Sequence, residues 1–169
     1  MPEQRSFIPI DEDDLRRLVP LALDDLEALY RRKPHIREIC EGRLLCLALC
    51  QGGALHYLDR VTGVKDLDVW AFFERAGAEQ FPYRRRGVVD FGSPKFGRAP
   101  SSSHFVGRSV DVLGRSISVR DGEAPPDSVL RYIRDGSTAT ARHLAKKAVV
   151  LLYPEEYFAQ VLWRGLGDP

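Results

Sequence analysis

Leu15, Leu18, Ala22, Leu26 and Leu29 recur at the 3.6-residue spacing of one helix face, which predicts a helix over 11–32. Asp11 to Asp14 place negative charge at its start, and Arg31, Arg32 and Lys33 place positive charge at its end, as the helix dipole favours. The acidic start reads as capping rather than as a cation site. Pro20 predicts a kink or a division. The pattern then changes. Leu44 to Leu49 is almost unbroken apolar sequence, so 43–50 reads as a strand buried on both faces. Residues 54–60 read as a short helix and 66–73 as a second strand with alternating faces. Residues 83–91 and 105–113 are two further strands, joined by a Pro-, Gly- and Ser-rich loop over 93–104.

Beyond Ile117 the pattern predicts helices. Pro125-Pro126 opens one over 127–134. Leu144, Ala148 and Leu151 predict another over 137–152, and Pro154 with Glu155 and Glu156 opens a last one carrying Tyr157, Phe158, Val161 and Leu162. The expected organisation is one domain over 1–169: an N-terminal helical part (1–42), a sheet core (43–120) and a C-terminal helical extension (121–169). The fold class is α/β (α+β), a mixed β-sheet with helices on one side. A chain of 169 residues with 44% hydrophobic content can bury such a core.

Charge changes this picture locally. The formal net charge is only +1, yet Arg84 to Arg120 contains eight basic residues against Asp90 and Asp111. A basic middle on a near-neutral protein is suited to holding phosphates. No apolar run approaches the roughly 18 residues of a membrane span, and the N-terminus has no apolar leader. Cys40, Cys46 and Cys50 form no CxxC and read as reduced packing thiols. The expectation is a cytoplasmic protein with no membrane partner.

The informative chemistry is Asp66-Leu67-Asp68. Side chains alternate along a strand, so both carboxylates share a face while Leu67 and Val69 pack on the other. Paired carboxylates repel unless a cation or base joins them, and they suit a hard ion such as Mg²⁺. Gly52-Gly53 lies between the first strand and its helix, where glycine lets backbone N–H groups approach an anion. Asp111 lies between Val110 and Val112, and a buried carboxylate there needs a partner. Asp90, between Val89 and Phe91, rivals it; the more regular strand favours Asp111.

An apolar strand, Gly-Gly, a dozen residues, Asp-Leu-Asp and a later apolar-flanked Asp together resemble the signature of the DNA polymerase β-like nucleotidyltransferase superfamily. The resemblance spans roughly Leu44 to Leu113. It implies two Mg²⁺ ions held by Asp66 and Asp68, with Asp111 completing the metal site and helping to activate the attacking hydroxyl. It implies a triphosphate at Gly52 and Gly53; from the basic middle of the chain, Lys95 and Arg98 of the loop then have the freer reach to its β- and γ-phosphates. The implied activity is transfer of a nucleoside monophosphate from an NTP to a hydroxyl acceptor: a small molecule, a protein or an RNA end. The alternative is a catalytically weak or inactive module of this fold acting through a protein partner, as in toxin–antitoxin pairs. A metal-dependent nuclease would use the same carboxylates, but it has no need of the glycine pair.

Other residues take blander readings. His56 and Tyr57 read as packed or surface helix residues, and Ser101–Ser103 beside His104 as solvated loop. Lys146-Lys147 reads as the wet face of a helix, and Trp70 and Phe72 as packing beneath the C-terminal helices.

Overall fold

The computed structural model describes residues 4–82, 84–99 and 104–165. Helix α1 (Glu12–Arg32) opens with a capping box: the Asp11 side chain accepts from the Asp14 amide and the Asp14 side chain from the Asp11 amide. Pro20 is on its exposed side, and the helix runs through it undivided. Helix α2 (Pro34–Cys40) leads into strand β1 (Leu44–Cys50), which turns directly into helix α3 (Gln51–Asp59). Strands β2 (Leu67–Glu74), β3 (Arg86–Asp90) and β4 (Ser109–Ile117) follow, then helices α4 (Pro125–Asp135) and α5 (Ala139–Leu144), and finally strands β5 (Ala148–Tyr153) and β6 (Val161–Trp163).

The six strands form one mixed sheet in the order β3-β4-β2-β1-β5-β6. The β2–β4 pair is parallel and the other neighbouring pairs are antiparallel. Alternation decides which residue meets which layer. Leu47, Leu49, Val69, Ala71, Val110 and Val150 pack with α1, α2 and α3. Cys46, Ala48, Phe72, Val149 and Leu151 pack with α4, α5 and Trp163. The helices therefore cover both faces, not one, because β1 and β5 are apolar on both sides. Each large side chain so buried contributes about 1.5–3 kcal/mol. A buried Arg85–Asp25 pair fastens the start of β3 to α1.

The C-terminal part departs from the sequence expectation. Residues 137–152 are not one helix: α5 ends at Leu144, a turn carries Lys146 and Lys147, and Ala148–Tyr153 is a strand. The spacing of Leu144, Ala148 and Leu151 suits a helix by coincidence. Val149 to Leu152 is buried on alternating faces between β1 and β6, as a central strand requires. The expected last helix is a 3₁₀ turn (Glu155–Tyr157) followed by β6. Between 121 and 165, α4 and α5 are thus followed by two strands that complete the sheet. Within the expected loop, Pro94–Phe96 forms a 3₁₀ turn and Phe96 is buried; residues 100–103 lie outside the described residues. Among the described residues no helix is long and apolar enough to cross a membrane.

Candidate functional site

Parallel pairing of β2 with β4 places Asp68 directly beside Asp111. Leu67 and Val69 are buried on the α1–α3 side, so Asp68 and Asp111 share the opposite face at one end of the sheet, and Asp66, just before β2, lines the same cleft as Asp68. The Asp111 side chain is only 9% exposed. Its Oδ1 accepts no hydrogen bond among the described residues, and Arg86 Nε stands 3.5 Å away. Such a desolvated carboxylate oxygen is costly unless a cation or proton joins it. Burial first, then the charges of Asp111 and Asp66, push the Asp68 carboxyl up to about 7 against the opposing pull of Arg86 and Lys147. Burial also raises Asp111, with Arg86 pulling it down, Asp66 pushing it up and a hydrogen bond shared with Asp68 lowering it. The pair is therefore short of positive charge.

Positive charge lines a cleft of about 260 Å³. Asp66 and Asp68 line it together with Gln51 and Gly52 at the start of α3 and Lys146 and Lys147 from the α5–β5 turn; Arg5, Lys65 and His143 complete the lining, and Asp111 stands outside it beside Asp68. The bridge between Gln51 and Ala148 brings the lysine turn against α3. Cys50, the N-cap of α3, provides no side-chain hydrogen bond, so no side-chain cap occupies the first N–H groups of that helix. Gln51 adopts a positive φ of 61°, a strained conformation for a non-glycine residue, to make the turn from β1 into α3. Its Nε2 is buried without an acceptor among the described residues.

The glycine pair divides. A Cβ on Gly52 would meet only Lys147 Nζ, at 4.0 Å, so Gly52 opens onto the cleft. A Cβ on Gly53 would lie 3.2 Å from Leu49 Cδ1 and 3.3 Å from Leu67 Cδ2. Gly53 is there for close packing of α3 on the sheet.

The loop cations lie elsewhere. Lys95 Nζ is 3.1 Å from Asp11 Oδ2 and 2.6 Å from Asp14 Oδ2 at the head of α1, on the other side of the sheet. Arg98 is exposed just beyond the Pro94–Phe96 turn. Neither lines the cleft. Arg108 is buried on the α1 side and donates to the carbonyls of Phe96 and Lys65, which ties the loop to the segment that presents Asp66.

Asp90 faces the same way as Asp111 by register but is otherwise engaged. Its carboxylate accepts from the amides of Gly92, Val106 and Gly107. Burial acts to raise its pKa, but those backbone donors outweigh it and hold the carboxyl below its ordinary value. Asp90→Ala is expected to lower stability near neutral pH by about 1–2 kcal/mol, allowing for partial exposure. Because the folded pKa is depressed, this contribution is complete above the ordinary 3.8 and is lost as pH falls through the folded value. Melting curves of wild type and variant should converge as the pH is taken down towards 3.

His56 is fully buried, its Nε2 2.8 Å from the Ile8 carbonyl oxygen while Nδ1 accepts from the Gly63 amide, so it serves the backbone. The cysteines are free and buried; burial raises Cys40 to about 11 and Cys46 to about 12.

Among the described residues no three His, Cys, Asp or Glu side chains converge on one point. Mg²⁺ does not require three, since one or two carboxylates with substrate phosphates and waters complete its shell. The donor set fits that ion: oxygen ligands only, adjacent across a strand pair, one of them buried without a hydrogen-bond donor. The chain matches no protein-family model, no curated protein and no solved structure.

Proposed function

We propose that this protein is an Mg²⁺-dependent nucleotidyltransferase that moves a nucleoside monophosphate from an NTP to a hydroxyl-bearing acceptor. One observation carries the reading: Asp66 and Asp68, with Asp111 beside Asp68 on the next strand, share one cleft with a helix start that has no side-chain cap and with two lysines. Carboxylates alone would suit many cations. Carboxylates beside an anion cradle suit a metal–polyphosphate complex.

Asp68 and Asp111, with Asp66, would hold Mg²⁺, as two ions in the arrangement that the sequence resemblance implies. Bound there, the metal offsets the charge that builds on the attacking and leaving oxygens of an in-line displacement. The chain's own groups do the rest. The amides at the start of α3, open at Gly52, and the ammonium groups of Lys146 and Lys147 bind the β- and γ-phosphates and hold the departing pyrophosphate. Asp111 accepts the acceptor's hydroxyl proton. The hydroxyl oxygen bonds to the α-phosphorus as its bond to pyrophosphate breaks.

Calorimetric titration of ATP, GTP, CTP and UTP with and without Mg²⁺ tests this. At least one NTP is expected to bind in the micromolar to millimolar range, and only with the cation. A folded protein that binds none of the four refutes the transferase and favours the module that acts through a protein partner.

A further inference from the structure

We propose that the groove over Trp70 seats the acceptor, and that the acceptor is a single strand of nucleic acid bearing a 3′-hydroxyl; this rests on the transferase reading above. Trp70 follows Asp68 by two residues on the same face of β2, about 7 Å further along the strand. It is half-buried and forms the wall of an open groove of about 700 Å³ completed by α5 and the turn after it. His143 and Lys146 line both this groove and the acidic cleft, so the two adjoin.

In-line displacement sets the direction. Gly52 and Lys147 lie beyond Asp68 at the Asp66 end of β2, since Cys50 pairs with Asp68 and the chain then turns into α3. A pyrophosphate leaving towards them requires the nucleophile to enter from the opposite side, which is the Trp70 side. The indole is held ready: Phe72 stacks beside it at 6.3 Å and 24°, and Tyr132 packs edge-on against Phe72. Arg115, from β4, donates to Thr140 Oγ1 and pins α5 over the sheet. Arg142 and Lys146 give the groove a cationic rim. A rigid aromatic face with a cationic edge is the recognition chemistry of an unpaired base on a phosphate chain. The terminal base stacks on Trp70, the backbone follows the rim, and the 3′-oxygen reaches the α-phosphorus as its proton passes to Asp111.

Trp163, the other tryptophan, is buried and donates Nε1–H to the Ala145 carbonyl, so ligand-induced changes in indole fluorescence report on Trp70. A single-stranded RNA of about eight nucleotides, one strand of the size a stacking groove spans, is expected to quench the wild type. Trp70→Leu keeps apolar packing without the ring and should bind that RNA roughly 5- to 150-fold more weakly, while its Mg²⁺–NTP titration is unchanged. Trp70→Phe should retain most of the affinity. Arg142→Gln should lower the slope of log affinity on log salt by about 0.7. RNA that neither binds nor quenches, with NTP binding intact, overturns the acceptor assignment and leaves the transferase standing. Quenching by NTP alone that Trp70→Leu abolishes assigns the groove to the donor base and also overturns it. Loss of NTP binding in wild type is read separately, by calorimetry, and overturns both.

Discussion

Asp68→Asn is expected to remove Mg²⁺-dependent NTP binding and to lower transfer by at least about 100-fold, because several kcal/mol of charge stabilisation pass through the metal. The same change should make the metal-free protein more stable at pH 8. Asp68 is pushed up to about 7 in the fold from an ordinary 3.8. A carboxyl raised by folding gives stability that is complete below the unfolded pKa and is lost as pH rises through the folded one. Wild type should therefore weaken between about pH 4 and 7, by an order of 2–4 kcal/mol in total. Denaturant melts at pH 5 and 8 check this: the wild-type difference should largely vanish in Asp68→Asn, and saturating Mg²⁺ should restore stability to wild type only. A variant that melts like wild type at both pH values and still binds Mg²⁺–NTP removes the metal assignment. Loss of function with gain of stability is the signature that separates a site residue from a structural one.

Some of this site was legible in the sequence and some was hidden for identifiable reasons. Strand alternation alone puts Asp66 and Asp68 on one face, and the apolar neighbours Leu67 and Val69 say which face is packed. Asp111 was legible as a carboxylate in an apolar strand, but its place beside Asp68 depends on the parallel register of β2 with β4, a long-range property. Its rival Asp90 accepts from loop amides that no local pattern announces. Lys95 was drawn to the site by its basic surroundings, yet it pairs with Asp11 and Asp14 because Phe96 anchors its loop in the core. The helical spacing of Leu144, Ala148 and Leu151 hides Lys147 from a sequence reading. Placed on a helix over 137–152, it falls on a solvated face; in the turn before β5 it stands against Gly52. His143, Gln51 and Arg86 carried no sequence signal, since each reaches the site through strand pairing or a tight turn.

The turn that sets Lys147 against Gly52 gives this lysine a second large expected effect. Lys147→Gln is expected to weaken Mg²⁺–NTP binding by about 10- to 100-fold, the worth of a charge-assisted contact to phosphate. It should also act on the acids. Lys147 holds the Asp68 carboxyl down, so its loss raises that group further and carries the fall in metal-free stability to higher pH. A merely solvated lysine would do neither. Gly52→Ala supplies the complementary arm. The site has room for a methyl group, and alanine in the first turn of α3 restricts the unfolded chain, so stability should rise by about 0.4–1 kcal/mol. The methyl nevertheless stands between the α3 amides and Lys147, where the phosphates would lie, and NTP affinity should fall. Titration of both variants decides the matter: if each binds Mg²⁺–NTP as wild type does, the polyphosphate does not lie between α3 and the lysine turn, and the direction assigned to the leaving group is lost with it.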